Sequence, residues 1–132
     1  MKNNIIFIRP RELIFHERVN FRRAVWILLK MVLSGYFDAP ILVDSRTKTI
    51  LDGHHRCYAA NRLGLYKVPC YMLDYFKDES IKVWTRRPEI FVDKEEVIRM
   101  ALSEGVFPHK TTRHEYKTPG FDRFPLNELQ KE

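Results

Sequence analysis

A strand that runs into a sharp turn and then a helix is the feature that most constrains this chain. The apolar run Thr49–Leu51 ends in Asp52 and Gly53, and the helix-forming segment His54–Leu63 follows directly. Gly53 allows a tight turn and a close approach of the backbone to a ligand. The free N–H groups and the positive dipole end of the helix favour an anion at the same point. The sequence therefore predicts a phosphate site at a strand-to-helix junction.

Three side chains at this junction, His54, His55 and Arg56, supply hydrogen-bond donors for phosphate. Arginine binds phosphate through two parallel hydrogen bonds, so Arg56 is the strongest single ligand predicted here. The two histidines are predicted to bind phosphate rather than a metal, because adjacent helical positions point in different directions. Asp52 is predicted to hold Mg²⁺ against the phosphates, or to orient Arg56 or a histidine. An Asp-Gly pair is also common as a plain turn.

The segment Asp52–Arg56, with the helix end Asn61–Leu65 and the strand Val68–Met72, resembles the core of the ParB/sulfiredoxin superfamily. Sulfiredoxins carry a cysteine at the position of His54, so their sulfur chemistry is not expected here. The double-histidine version instead resembles the free L-serine kinases of the superfamily, which make O-phosphoserine.

Two further segments narrow the resemblance. Leu13–Glu17 resembles the His-Glu element that supplies the catalytic glutamate of those kinases, and Pro108–His114 resembles their Lys-Thr-Thr-Arg-His substrate-site element. All three elements occur in the same order, over roughly residues 5–129. Some relatives of this kind carry a longer region where this chain has only Arg86–Phe107.

The resemblance implies that Glu17 is the base that accepts the proton of the substrate hydroxyl. The sequence pattern alone would make Glu17 an N-terminal helix carboxylate favoured by the macrodipole. Ser34, at the end of the first helix, is expected to line the nucleotide pocket, with a helix stop as the simpler alternative. His16 and His109 are expected to be solvent-exposed or to support other site residues.

The same resemblance implies a substrate-binding set that recognises the carboxylate, ammonium and hydroxyl of a free amino acid. Arg113 suits the carboxylate, since guanidinium binds it with two bonds. Without the resemblance, this segment would be interpreted as a polar edge strand or loop, and Trp84 as a core residue. The set is Trp84, Lys110, Thr111, Thr112, Arg113 and His114.

The coarse pattern predicts an α+β single domain over residues 1–132, with a small mixed sheet and flanking helices. A helix over Glu17–Leu33 is expected to bury one face. Asp93 and Glu96 predict a capping box for a helix that reaches about Glu104. Residues 116–132 are expected to be a loosely structured tail with a short helix. The predicted buried positions of the first helix are Phe21, Val25, Leu28, Leu29 and Val32.

Composition fits an intracellular globular domain, expected in the cytoplasm. The formal net charge of +6 suits an anionic partner without choosing between a nucleotide and nucleic acid. No apolar run is long enough to cross a bilayer. Cys57 and Cys70 show no zinc-site spacing and are predicted to be buried thiols in a reducing compartment.

The resemblance thus implies a free L-serine kinase that uses ATP or ADP with Mg²⁺ and forms O-phospho-L-serine. One alternative is a ParB-like nucleotide-binding regulatory switch that acts on DNA or a protein partner without turning over serine. Another is a nuclease-like or catalytically silent relative. The sequence leaves open the choice between ATP and ADP, the downstream pathway and the oligomeric state.

Overall fold

Four strands form the central sheet in a computed structural model that describes residues 5–103, 105–108, 111–116 and 123–132. The order is β1-β5-β3-β4; β5 runs parallel to β3 and antiparallel to β1, and β4 is antiparallel to β3. A mixed sheet of this kind confirms the predicted α+β fold. The strands are β1 (Ile5–Ile8), β3 (Ile41–Asp44), β4 (Ile50–Asp52) and β5 (Val68–Leu73).

Strand β3 lies at the centre of two apolar cores. Every residue in it is buried, because successive side chains of a strand point to opposite faces of the sheet and both faces are covered. Ile41 and Val43 pack into one cluster, and Leu42 packs into the other. The sheet therefore separates two layers of packing, and its edge near β4 carries the candidate site.

Helices cover both faces of this sheet. They are α1 (Phe21–Ser34), α2 (His54–Leu63), α3 (Lys94–Leu102) and the single turn α4 (Leu126–Leu129), with a short 3₁₀ helix at Pro10–Glu12. Helix α2 packs against α1 and buries Cys57 and Ala60 in the first cluster, whereas α3 buries Val97 in the second. No helix in the described part of the chain is long and apolar enough to span a membrane.

Two small antiparallel ribbons complete the fold. Strand β2 (Tyr36–Phe37) pairs with β8 (Phe124–Pro125), and β6 (Lys82–Thr85) pairs with β7 (Thr112–Glu115). The first ribbon anchors the end of the chain, since Leu129 beyond it is only 1% exposed and lies in the first core cluster. Residues 123–129 are therefore more ordered than the loose tail expected from the sequence.

Helix α1 begins later than predicted. Asn20 is its N-cap and accepts a hydrogen bond from the N–H of Arg23 at 3.2 Å, so the helix starts at Phe21 rather than at Glu17. Glu17 instead forms an isolated parallel bridge with Phe107. Glu17 is therefore not an N-terminal helix carboxylate, and the macrodipole does not explain its presence.

The predicted buried face of α1 was wrong. Phe21, Leu29 and Val32 are 70%, 48% and 52% exposed, and Val25 is also exposed; only Leu28 of that set is partly buried. The periodicity misled because α1 is apolar around most of its circumference, so spacing alone could not select the packed stripe. The buried positions are Ala24 and Met31.

Several local predictions were confirmed. Helix α2 ends at Gly64, whose φ of 69° is the left-handed conformation of a glycine C-cap. Asp93 caps α3 by accepting a hydrogen bond from the N–H of Glu96 at 2.8 Å, although that helix ends at Leu102, two residues early. Cys57 and Cys70 are free and buried, and burial raises the pKa of each thiol to about 12.

Leu129 tests how firmly the chain end is packed. Leu129→Ala should lower the free energy of unfolding by about 2–5 kcal/mol, because it removes buried methyl groups and leaves a cavity in the core. Leu102→Ala is the matched control, since that side chain is 59% exposed. Urea denaturation of both variants would measure the difference, and equal losses would show that the chain end is not part of the core.

Candidate active site

A cleft of about 1380 Å³ opens between the N-terminus of α2 and the β6–β7 ribbon. This volume exceeds that of most small-molecule pockets and leaves room for two ligands side by side. The described residues that line it come from four regions of the chain: Glu17, Arg23, Ile27, Leu51, Asp52, Gly53, His54, His55, Arg56, Glu79, Ser80, Lys82, Arg86, Thr112, Arg113, His114, Glu115 and Tyr116.

The strand-to-helix junction forms one wall, as predicted. Strand β4 ends at Asp52, Gly53 turns with a φ of 112°, and α2 begins at His54. No side chain caps the first turn of α2. The positive φ favours glycine here, and a Cβ on residue 53 would lie 3.0 Å from Nη2 of Arg56 and crowd that side chain. The helix N-terminus thus faces the cleft with its backbone N–H groups.

Arg56 is fixed from behind by backbone carbonyls. Its Nη1 donates to the carbonyl oxygens of Ala39 and Pro40 at 2.6 and 2.8 Å. Its Nη2 lies 4.0 Å from Oδ2 of Asp52, and the side chain is 19% exposed. The guanidinium is therefore held in one orientation at the cleft wall, which suits it to bind an anion without a large ordering cost.

Asp52 has a partner that the sequence did not reveal. The hydroxyl of Tyr116 donates to Oδ2 of Asp52, and both side chains line the cleft. Burial and the nearby carboxylate raise the pKa of Tyr116, so its phenol stays protonated as a donor. Tyr116 thus orients the half-exposed carboxylate of Asp52 beside Arg56.

Glu17 also borders the cleft, and it is hydrogen-bonded to the start of β7. Its Oε1 accepts hydrogen bonds from the backbone N–H groups of Thr111 and Thr112 at 3.1 and 2.7 Å, and from the Thr112 hydroxyl at 2.9 Å. The side chain is largely buried yet borders the cleft. These contacts join segments that are more than 90 residues apart in the chain and fix the carboxylate where a ligand could meet it.

Three histidines pack beside Glu17 in neutral form. Burial lowers the pKa of His16 to about 4 and that of His114 to about 3, and burial with its histidine neighbours lowers that of His54 well below its usual value. The ring of His16 lies 4.6 Å from that of His54 and 5.8 Å from that of His114. His16 was expected to be solvent-exposed or to support other site residues. It is fully buried, so the first alternative was wrong.

The tautomers follow from the partners. The Nδ1 of His16 lies 2.7 Å from the carbonyl oxygen of Ile50, which can only accept, so this nitrogen carries the proton. The Nε2 of His54 accepts from the backbone N–H of His16 at 3.3 Å. The Nε2 of His55 accepts from the N–H of Asn20 at 3.0 Å. Each of these two rings therefore keeps its Nδ1–H as a donor.

Some predicted site residues are not brought to the cleft. Ser34 is not among the described lining residues, and its hydroxyl contacts backbone oxygens of Met31 and Tyr36 at the far end of α1. Trp84 is half-exposed opposite Arg113 in the ribbon, and it does not line the cleft either. Thr111 is fully buried, and its hydroxyl donates to Pro108. Lys110 and His109 lie outside the described residues.

The sequence is similar to those of several curated proteins. No protein-family model matches the sequence. A ParB-like protein of Sulfolobus acidocaldarius is 49% identical over 81 residues, which are 61% of this chain and 40% of that protein. An ATP-dependent L-serine kinase of Desulfurococcus mucosus is 33% identical over 106 residues, 76% of this chain and 41% of that protein. An ADP-dependent L-serine kinase of Thermococcus kodakarensis is 30% identical over 109 residues, 80% of this chain and 45% of that protein.

The fold is also found in a solved structure. A free serine kinase solved in complex with AMP superposes with a TM-score of 0.83 at 18% identity, covering 96% of this chain and 93% of that one. The chain belongs to the ParB-like family that includes the L-serine kinases. It spans about half the length of the curated relatives it matches.

Sequence reasoning missed several cleft residues of this family member. Arg23 and Arg86 each belong to a pair of adjacent arginines, a pattern that usually indicates solvated surface charge. Only the three-dimensional arrangement shows that one member of each pair faces the cleft. Lys82 lies in a strand in which polar and apolar residues alternate. Nothing in the sequence links that strand to α2. The other missed residues are Ile27, Leu51, Glu79, Ser80, Glu115 and Tyr116.

The described residues contain no cluster of three or more metal-ligating side chains. Asp52 is a single half-exposed carboxylate beside the predicted phosphate position. One carboxylate together with phosphate oxygens and waters is the usual ligand set of Mg²⁺, so the residues present fit that ion.

The neutral histidines predict an acid-sensitive fold. In the unfolded chain a histidine has a pKa near 6.5 and becomes protonated below that pH. In the folded protein His16 and His114 stay neutral until about pH 4 and 3. The unfolded state therefore binds more protons, and the free energy of unfolding should fall as the pH falls below 6.5. The expected loss is about 1.4 kcal/mol per pH unit per histidine, which urea denaturation at pH 7 to 5 would measure.

The His114→Gln variant is the comparison for this experiment. Its free energy of unfolding should fall less steeply between pH 6.5 and 5 than that of the wild type. The difference in slope should be about 1.4 kcal/mol per pH unit, which corresponds to one proton. Carboxylates remain largely ionised in this window, so they contribute little to the difference. A free energy of unfolding that stays level from pH 6.5 to 5 would contradict the neutral cluster.

Proposed function

We propose that this chain is a free L-serine kinase that transfers a phosphoryl group from ATP or ADP to the serine hydroxyl, giving O-phospho-L-serine. The observation that carries the proposal is the meeting of three elements in one cleft. An anion site at the start of α2, a largely buried glutamate and the arginine of the Lys-Thr-Thr-Arg-His segment all border the same space. The curated relatives named as L-serine kinases support it.

The start of α2 is the proposed site for the nucleotide phosphates. Its backbone N–H groups and dipole favour negative charge, and the missing side-chain cap leaves them available to a ligand. Arg56 adds a guanidinium that its carbonyl contacts hold in place. His54 and His55 also line the cleft and are the remaining proposed phosphate ligands. Arg23 reaches the same cleft from α1 and is a further candidate for phosphate binding.

Mg²⁺ is the proposed metal, with Asp52 as its protein ligand. A bound Mg²⁺ would neutralise charge that builds up on the phosphates during transfer. Tyr116 orients the carboxylate of Asp52, and Arg56 limits its movement on the other side. This arrangement keeps an acidic group beside an otherwise cationic phosphate site, which suits a metal–nucleotide complex better than a bare anion.

The start of β7 is the proposed site for the amino acid. Arg113 is a suitable partner for the serine carboxylate, although in this structure it lies 3.5 Å from Glu115. Lys82 and Arg86 approach the same cleft from the neighbouring strand and its end. The cations on this side balance the nucleotide phosphates and the serine carboxylate, which must lie close together.

Glu17 is the proposed base. In the transfer, the serine Oγ–H bond breaks and its proton passes to the carboxylate of Glu17. A bond forms between Oγ and phosphorus, while the bond from phosphorus to the bridging oxygen of the nucleotide breaks. The hydrogen bonds from Thr111 and Thr112 hold this carboxylate still, so its placement requires no reorganisation when serine binds.

A second candidate is a ParB-like nucleotide-binding switch that acts without turning over serine. It is favoured by one observation, that the relative with 49% identity is named only as a ParB-like protein. Its mark would be nucleotide binding without phosphoserine formation. A duplex-DNA gel shift that weakens with salt would extend it to nucleic acid.

The kinase proposal is tested by incubating the protein with Mg²⁺, L-serine and either ATP or ADP. Mass spectrometry should detect O-phosphoserine with at least one nucleotide, and the productive nucleotide identifies the donor. Glu17→Gln should reduce turnover by about 10²–10⁴-fold, because it removes the base but keeps the size of the side chain.

Glu12→Gln is the matched control for this variant. Glu12 is exposed and pairs with Lys48 at 3.2 Å, away from the cleft, so turnover should stay at the wild-type level. Circular dichroism would check that both variants are folded. Full turnover in a folded Glu17→Gln protein would remove Glu17 as the base, and no product from the wild type with either nucleotide would favour the switch.

Gly53→Ala tests the phosphate site. The new methyl group would crowd Nη2 of Arg56 at 3.0 Å and strain the backbone, so nucleotide affinity should fall by at least tenfold in isothermal titration. Gly64→Ala is the control, since it also strains a left-handed residue but meets no atom within 4 Å. Equal affinity in the two variants would separate the α2 N-terminus from nucleotide binding.

A further inference from the structure

Helix α1 presents an apolar face to solvent on the side away from the core. Its buried residues, Ala24 and Met31, point inward, and Arg23 and Ile27 border the cleft from another side of the helix. At 3.6 residues per turn, the exposed apolar positions cover about 140° of the circumference. We call this set the α1 stripe. Its six side chains are 38–86% exposed, and they are Phe21, Val25, Trp26, Leu29, Val32 and Leu33.

The α1 stripe is larger than the apolar patches that are usual on a monomer. Residues of this size have accessible areas of about 150–250 Å² each, so their exposed fractions leave roughly 700 Å² in contact with water. The largest apolar patch of a typical monomer covers about 300–600 Å², whereas a stable interface buries about 800 Å² on each partner. The stripe therefore has nearly the area that one side of a stable dimer needs.

The pattern within the stripe suits a second copy of the same helix. Four of its residues follow one another at intervals of four and form a continuous exposed ridge, of the kind that packs into the groove of a neighbouring helix. The ridge is symmetric about residue 27. In an antiparallel pair, Phe21 of one copy therefore lies opposite Leu33 of the partner subunit. Val25 likewise lies opposite Leu29 of the partner subunit, so each ridge position meets an apolar side chain.

Charge favours the antiparallel arrangement over a parallel one. The charged residues of α1 are all cations, namely Arg22, Arg23 and Lys30, and its last turn carries no basic residue. Antiparallel pairing brings Arg22 to the C-terminal carbonyls of the partner helix, whose partial negative charge favours a cation. Parallel pairing would instead bring two Arg22 side chains together. Lys30 lies at the margin of the stripe, 5.9 Å from the ring centre of Trp26, where its ammonium stays in water.

We propose that the α1 stripe is the interface of a two-fold symmetric homodimer in which the two α1 helices pack antiparallel. The cleft stays open in this dimer, because Arg23 and Ile27 border it from a different side of the helix. Dimer formation is therefore independent of the reaction that takes place in the cleft.

Sedimentation equilibrium of the wild-type protein tests the dimer directly. Over about 1–100 µM, the mass should rise towards twice the 15.9 kDa of a single chain. Leu33→Arg should raise the Kd of the dimer by at least about tenfold, because it places a cation in an apolar contact. This side chain is 86% exposed in the single chain, so the substitution leaves the folded subunit intact, which circular dichroism would check. Leu29→Arg, nearer the centre of the ridge, should have a larger effect.

Leu102→Arg is the matched control. It makes the same change at a leucine that is 59% exposed on α3, outside the stripe, and it should leave the dimer mass unchanged.

Cysteine variants test the orientation of the two helices. In an antiparallel pair, residues 21 and 33 of opposite subunits are neighbours, whereas the two copies of residue 21 lie about 18 Å apart along the axis. A short bis-maleimide should therefore join Phe21→Cys to Leu33→Cys in a mixture and should not join either variant to itself. The native thiols of Cys57 and Cys70 are buried and do not compete for the reagent. Crosslinking of each variant to itself would overturn the antiparallel arrangement.

Two results would overturn the dimer. One is a wild-type protein that stays monomeric at about 100 µM, and the other is a dimer whose mass Leu29→Arg and Leu33→Arg leave unchanged. A monomeric wild type that cosediments with phosphatidylglycerol vesicles would assign the stripe to an anionic bilayer instead of a second copy. Absence of phosphoserine would overturn the kinase proposal alone.

Discussion

The carboxylate of Glu17, bound by the backbone of Thr111 and Thr112, is the interaction on which the site depends. It joins the segment before α1 to the start of β7, which local structure would leave apart. A largely buried carboxylate is costly unless donors satisfy it, and here two backbone N–H groups and a hydroxyl do so. The contact therefore fixes two things at once: the position of β7 over the cleft and the orientation of a largely buried glutamate that borders the cleft.

The buried histidines provide the dry environment behind this carboxylate. Burial keeps these rings neutral, and each has a hydrogen-bond partner, such as the Ile50 carbonyl for His16 or the Tyr75 hydroxyl for His114 at 2.9 Å. Neutral rings satisfy polar groups in the core without the desolvation cost of a cation. The positive charge of the cleft is left to arginine and lysine side chains, which bind anions without depending on pH.

The sequence predicted the elements well where one short stretch determines its own conformation. Gly53 and Gly64 adopt the positive φ that strand-to-helix and helix-end positions favour, and α2 between them has the predicted bounds. It failed where tertiary packing decides. The apolar circumference of α1 offers several stripes, and the choice of Ala24 over Phe21 depends on the surface of α2 rather than on periodicity. Likewise, Tyr116 donates to Asp52 across 64 residues of chain, and no spacing along the sequence encodes that contact.

The two parts of the proposed site, the strand-to-helix junction and Glu17, differ in the same way. Residues of the junction act through the backbone and through Arg56, so the local motif alone predicts an anion site whatever the rest of the fold does. The proposed base is different, because the position of Glu17 depends on contacts with other parts of the fold. The Thr112 hydroxyl lies against both Glu17 and His16. A family member could therefore keep nucleotide binding and lose serine turnover by changing the β7 segment alone. The contacts of Glu17 with the start of β7 are therefore the part of the proposed site that the phosphate loop alone does not predict.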